Sequence, residues 1–156
     1  MMNMPPRRLR IKLVLACVIL FSVAAGIRSS ARAQSGGPGT LVVKITGLHS
    51  GKGQVRIAVF NSAETWLGEH PVYSSTIKVD GQTIVWQIND VPYGDYGIAV
   101  LHDENSNGKM DKNFLGMPLE PYGFSNNLRV TLRAPRWERG KVAVTKPTTE
   151  ISIEVK

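Results

Sequence analysis

The sequence predicts an all-β protein, an antiparallel β-sandwich of about seven strands with one long ordered loop. Apolar residues recur at every second position along most of the chain after residue 40, which is the pattern of half-buried strands. Turn signals from Gly, Pro, Asn and Asp separate these stretches, and helices do not alternate with strands as a parallel α/β sheet requires. The length of 156 residues fits one domain.

The first 33 residues have the three parts of a secretory signal peptide. A basic segment, Arg7–Lys12, precedes an apolar run of 13 residues, Leu13–Ala25, and small residues follow up to Ala33. We therefore predict residues 1–33 as a signal peptide cleaved after Ala33, and a periplasmic or secreted protein. A membrane anchor needs about 20 apolar residues, so we expect no transmembrane segment in the mature chain.

Two other export routes fit the N-terminus less well. Arg7 and Arg8 resemble a twin-arginine signal, but Arg10 stands where that signal has an apolar residue. Cys17 resembles a lipoprotein site, but only a short apolar stretch precedes it. Ordinary cleavage removes Cys17, the single cysteine, and this excludes disulfides and thiolate metal sites from the mature chain.

The formal net charge of +7 comes from the N-terminal segment. Residues 1–33 hold six of the 19 basic residues and no acidic one, which leaves 13 basic against 12 acidic residues in the remainder. The mature chain therefore lacks the basic excess of a nucleic-acid-binding protein, and we expect no nucleic acid partner. An apolar content of 42% is enough for a core and excludes global disorder.

Along the mature chain, a Gly-rich flexible leader over residues 34–40 precedes the β-sandwich domain over residues 41–156. Alternation predicts strands at residues 41–46, 54–60, 73–79, 83–88, 96–102, 128–132 and 150–155. Asp80-Gly81 predicts a hairpin between the third and fourth strands. Ser62–Gly68 is the one stretch of the mature sequence that looks helical. The apolar residues on the face of each strand that points to the core are predicted to be buried. They are Ile57, Val59, Ile84, Trp86, Ile98, Val100 and Ile153.

The junction over Ile88–Tyr96 has the sequence I-N-D-V-P-Y-G-D-Y. Pro92 fixes a turn, Gly94 permits a positive φ, and the Tyr96 hydroxyl can reach the backbone. This pattern resembles the corner of transthyretin-like modules, which include carboxypeptidase regulatory domains. The resemblance implies a sandwich of immunoglobulin-like or transthyretin-like type.

The longest segment between predicted strands runs from Asp103 to Asn127. Loops of more than about 12–15 residues are usually functional or disordered. The apolar residues of this segment predict that it packs against the sandwich. They are Met110, Phe114, Leu115, Met117, Leu119, Tyr122 and Phe124.

Oxygen-bearing residues recur at every second position of this loop, in the spacing of an EF-hand calcium site with Gly108 at the bend. The predicted ligands are the side chains of Asp103, Asn105, Asn107 and Asp111 with the carbonyl of Lys109. Phe114 replaces the usual bidentate Glu, so Glu120 would complete the site and the predicted calcium affinity is weak. The same residues also fit a run of Asx-turns without metal, and the sequence does not decide between the two.

A long block from His102 to Asn127 reads H-D-E-N-x-N-G-K-x-D-x-N-x-L-G-x-P-x-E-x-Y-G-F-S-N-N. It resembles the signature of an uncharacterised family of small secreted bacterial proteins, known only as a domain of unknown function. The resemblance covers about Leu41–Val155 and includes Gly53-Gln54-Val55 and Gly94-x-Tyr96. It implies export and a β fold, and it implies no activity.

A hydrolase is disfavoured, although His102, Asp103 and Ser125 are the residue types of a catalytic triad. Adjacent residues of a strand point to opposite sides, so His102 and Asp103 cannot easily serve one another. Ser125 also lacks the glycine that follows the nucleophile in a nucleophile elbow. We therefore predict a protein that is not an enzyme and needs no cofactor other than calcium.

Two non-enzymatic classes stay open. The first is a binding module for an unknown protein or envelope component, and the second is a structural accessory domain of the cell envelope. Exposure of the aromatic residues near the loop favours the first class, and their burial favours the second. These residues are Tyr122, Phe124 and Trp137.

Overall fold

The computed structural model describes residues 37–130 and 133–156, and the predicted signal peptide lies outside these ranges. Within them, no helix is both long and apolar enough to cross a membrane. The described chain forms the strands β1 Gly39–Thr46, β2 Gln54–Phe60, β3 Tyr73–Lys78, β4 Ile84–Val91, β5 Gly94–Asp103, β6 Tyr122–Phe124, β7 Lys141–Val144 and β8 Thr148–Glu154. A 3-10 turn, Ser125–Asn127, follows β6, and one helical turn, α1 (Trp137–Gly140), precedes β7.

The strands form two sheets that pack together, as the predicted β-sandwich requires. One sheet has the order β4-β1-β8, and the other has the order β3-β2-β5-β6 with β7 also paired to β5. One pair departs from the antiparallel prediction, because β1 and β8 run parallel from Thr40↔Thr148 to Thr46↔Glu154. These two strands come from opposite ends of the domain, so no hairpin turn imposes their direction.

The core lies between the sheets, where alternate residues of each strand point inward. Of the residues predicted to be buried, all but one are at most 5% exposed, namely Ile57, Val59, Ile84, Ile98, Val100 and Ile153. Trp86 is the exception, since it is only partly buried and packs against the edge of the core. Its strand, β4, is at the edge of the smaller sheet, so one flank of its ring faces solvent.

Three local predictions are wrong. Asp80-Gly81 does not close a hairpin, because β3 pairs with β2 and β4 pairs with β1, so this connection crosses between the sheets. Ser62–Gly68 forms turns instead of a helix, with Leu67 at a φ of +60°. Residues 128–130 are not a strand, and the adjacent strands are β6 and β7.

The corner before β5 forms largely as predicted. The Tyr96 hydroxyl donates a hydrogen bond to the carbonyl of Pro92 at 2.8 Å and ties the start of β5 to the turn before it. The positive φ of this corner falls at Asp90 (+56°) and not at Gly94. Asp tolerates the left-handed region because its short side chain can hydrogen-bond locally.

Candidate functional site

The loop over residues 104–121 leaves the sandwich where β5 ends at Asp103 and returns where β6 begins at Tyr122. Asp103 is fully buried at its base. The carboxylate accepts hydrogen bonds from Gln54 Nε2 (2.8 Å), from the Gly108 N–H (2.8 Å) and from the Asn107 N–H (3.0 Å). Burial raises the pKa of Asp103, but these hydrogen bonds outweigh burial and hold the pKa below its ordinary value.

Sequence analysis missed two residues of β2 that hold this loop. Register places Gln54 opposite Asp103, so the amide of Gln54 reaches the Asp103 carboxylate. Two residues further, the Arg56 side chain donates a hydrogen bond to the carbonyl of Gly108. No local sequence pattern reveals these contacts between β2 and the loop, because they depend on the pairing of β2 with β5. The bend itself was predictable, since Gly108 has a φ of +81°.

A second carboxylate closes the loop from its other end. Glu120 is 7% exposed, and its Oε1 accepts a hydrogen bond from the Glu104 N–H at 3.0 Å. Its Oε2 accepts one from the Asp111 N–H, also at 3.0 Å. Glu120 therefore joins the first and the middle part of the loop, and both of its oxygens have protein donors.

Three of the predicted ligands between these two carboxylates, the side chains of Asn105, Asn107 and Asp111, contact one another. Asn105 Nδ2 donates to Asp111 Oδ2 at 2.6 Å, and Asn107 Nδ2 lies 3.0 and 3.1 Å from the two oxygens of Asp111. Asn107 Oδ1 accepts from the Lys109 N–H at 2.8 Å, and Asn105 Oδ1 accepts from the Asn107 N–H at 2.9 Å. These are Asx-turns, each side chain bonding backbone two residues further on.

Within the described residues, no three of the residue types His, Cys, Asp and Glu form a group that could hold a metal ion. Calcium would therefore have at most two of the carboxylates of Asp103, Asp111 and Glu120 as ligands and would depend on amide and backbone oxygens for the rest. The amides of Asn105 and Asn107 would have to rotate so that oxygen, and not nitrogen, faces Asp111. Calcium binding stays a prediction.

The middle of the loop does not pack against the sandwich, contrary to prediction. Phe114 is 93% exposed, Leu115 72%, Leu119 63% and Met117 44%. We call these four side chains the crest. The Asn113 N–H donates to the carbonyl of Met117 at 2.9 Å, and Asn113 Oδ1 accepts from the N–H groups of Leu115 and Met117 at 3.0 Å. The four side chains of the crest therefore extend into solvent from a hydrogen-bonded turn.

The aromatic residues that follow the loop form a separate, partly buried cluster around Trp66. The ring centroid of Trp66 lies 5.5 Å from that of Phe60, 6.1 Å from Phe124 and 5.8 Å from Trp137. The Trp66 ring also covers Gly97, where a Cβ would lie 2.5 Å from a ring carbon. These aromatics anchor the turn over residues 61–70 and α1 onto the outer face of β5.

The triad residues are not assembled. Ser125 Oγ is buried, where it accepts a hydrogen bond from the Ile98 N–H at 2.9 Å and donates to the carbonyl of Gly140. His102 is four residues further along β5, about 13 Å at the usual rise of a strand. His102 Nε2 hydrogen-bonds the carbonyl of Lys52 at 2.8 Å, so the ring caps a loop carbonyl.

The fold and this site define a class, a small β-sandwich protein whose long loop is closed by two buried carboxylates. The chain belongs to the family described as an uncharacterized protein conserved in bacteria (DUF2141), whose model matches residues 43–152. No curated protein and no solved structure matches the chain.

Proposed function

We propose that the protein is an exported, non-enzymatic binding module that contacts a protein or another envelope component through the crest. The observation that carries this proposal is the exposure of four large apolar side chains on one loop. Exposed contiguous apolar surface on a soluble domain usually marks an interaction site. The export part of the proposal depends on the N-terminal signal pattern and on the family resemblance.

The anchoring of the loop supports a contact role for the crest. Asp103 and Arg56 attach the loop to the sandwich, and Glu120 joins the first and the middle part of the loop to one another. A crest on an anchored loop loses less conformational entropy on binding than the same residues on a free segment. Calcium, if it binds between Asp103 and Asp111, would strengthen the same anchoring.

The partial burial of Tyr122, Phe124 and Trp137 favours the second candidate, a structural accessory domain. Phe124 and Trp137 pack against Trp66, and Tyr122 packs against Phe124, so these side chains contribute to the packing of the fold. The two candidate functions therefore depend on different residues, because only the binding module requires the exposed side chains of the crest.

Site-specific photocrosslinking in cells separates the two candidates. A benzophenone amino acid replaces Leu115 in the crest, and as a control it replaces Val85, which is 60% exposed on the other sheet. The binding module predicts a discrete adduct from position 115 that is absent from position 85 and is lost when Leu119→Ser is added. Equal adducts from both positions, or none from position 115, would contradict it and favour the structural domain.

A further inference from the structure

The positive charge of the domain is concentrated in one short segment. Between residues 128 and 141 there are five basic residues and one acidic residue, whereas residues 34–127 hold six basic and nine acidic residues. Four of the five basic residues are arginines, and all four line one open cleft of about 580 Å³. They are Arg129, Arg133, Arg136 and Arg139.

These arginines have no acidic partner in the described part of the chain. The salt bridges there involve lysine or histidine, and none involves a guanidinium group. Glu138, the acid nearest in sequence, pairs with Lys141, whose Nζ lies 2.9 Å from Glu138 and 3.1 Å from Asp95. Glu154, whose pKa is lowered first by its hydrogen bond from Lys156 and to a lesser extent by Arg129, is bonded to Lys156 at 2.6 Å.

The backbone around Arg136 and Arg139 is held in place by hydrogen bonds. Trp66 Nε1 donates a hydrogen bond to the carbonyl of Pro135 at 2.7 Å, directly before Arg136. Asn126 Nδ2 donates to the carbonyl of Arg139 at 2.8 Å, and the Arg139 N–H donates to the carbonyl of Arg136 at 3.1 Å. Arg136 is the last residue before α1 and Arg139 lies within α1, and both side chains line the cleft.

We infer that this arginine cleft is an anion-binding site for a multiply charged phosphate group. Guanidinium groups bind phosphate through paired, charge-assisted hydrogen bonds, and four of them together repel one another until an anion neutralises them. The cleft has room for a group larger than a single phosphate. The inference is independent of the crest, which lies on another segment of the chain.

Titration of the purified protein with pyrophosphate, followed by calorimetry and thermal melting, tests the inference. We expect saturable binding and a rise in melting temperature of about 5 °C at ten times Kd, which sulfate and chloride at equal ionic strength do not reproduce. The double variant Arg133→Gln/Arg136→Gln should bind at least about tenfold more weakly. Both side chains are exposed, so the melting temperature without ligand should stay unchanged.

The matched control removes two lysines at a distance from the cleft, in Lys44→Gln/Lys78→Gln, and should bind like the parent protein. Equal loss in both double variants, or a response to pyrophosphate no larger than to sulfate, would overturn the inference. Vesicles with and without phosphatidic acid, whose phosphomonoester carries up to two negative charges, separate the sources of phosphate. Arginine-dependent vesicle binding that pyrophosphate displaces identifies a lipid headgroup, and pyrophosphate binding without vesicle binding identifies a soluble phosphate compound.

Discussion

Replacement of Asp103 by alanine removes the buried carboxylate at the base of the loop. Its three hydrogen bonds connect Gln54, Asn107 and Gly108, and hydrogen bonds to a charged group contribute about 1.5–3 kcal/mol each. The partly exposed donors regain some water, so we expect Asp103→Ala to lower the free energy of unfolding by roughly 2–4 kcal/mol. For a domain of this size, that is a decrease in melting temperature of roughly 8–16 °C.

The pH dependence of stability gives an independent check of the same residue. The folded-state pKa of Asp103 lies below its unfolded value, so its contribution is complete above about pH 5 and is lost as pH falls through the folded pKa. Asp103→Asn does not titrate. The difference in stability between the parent protein and Asp103→Asn should therefore shrink below about pH 4.

Urea denaturation of the parent, both Asp103 variants and Asp80→Ala measures these effects. Asp80 is an exposed carboxylate in the connection between the sheets, and its removal should change stability by no more than about 0.5 kcal/mol. If Asp103→Ala were no more destabilising than Asp80→Ala, the carboxylate would not hold the loop and the reasoning would be refuted.

Three further predictions concern the loop, the aromatic cluster and the N-terminus. Calcium at ten times Kd should raise the melting temperature by roughly 3–6 °C above the value measured in EDTA, and Asp111→Asn should abolish this rise. If millimolar calcium does not raise the melting temperature of the parent protein, the loop consists of Asx-turns without a metal site. Gly97→Ala should cost about 1–3 kcal/mol in urea denaturation because its Cβ meets the Trp66 ring, and a neutral result would contradict the packing. N-terminal sequencing of exported protein should begin at Gln34, and a retained Leu13–Ala25 segment would contradict cleavage after Ala33.

The alternation of apolar and polar residues predicted the strands well, because it reflects which face of a strand meets the core. Val55, Ile57 and Val59 are buried in phase on β2, and Ile98 and Val100 are buried on β5. Alternation says nothing about which strand pairs with which. The hairpin prediction at Asp80-Gly81 failed for this reason, since long-range pairing of β3 with β2 overrides a local turn preference.

The proximity of three loop side chains was predictable, and the anchoring of the loop was not. The two-residue spacing and Gly108 are local features, so Asn105 and Asn107 lie beside Asp111, but their amide nitrogens and not their oxygens face its carboxylate. Gln54 and Asp103 are 49 residues apart in sequence, and only the register between β2 and β5 brings their side chains together. The crest was predicted to be buried because large apolar side chains usually are, and the sequence holds no signal that marks an apolar residue as exposed.

Amide hydrogen exchange of the loop tests most directly whether the crest is presented on an anchored loop. The N–H groups of Asn107, Gly108 and Asp111 bond the carboxylates of Asp103 and Glu120, so we predict exchange at least about a hundredfold slower than in an unstructured peptide. That protection should fall at Asn107 and Gly108 in Asp103→Ala and persist at Val59 in the core. Unprotected exchange of all three loop amides in the parent protein would contradict the account.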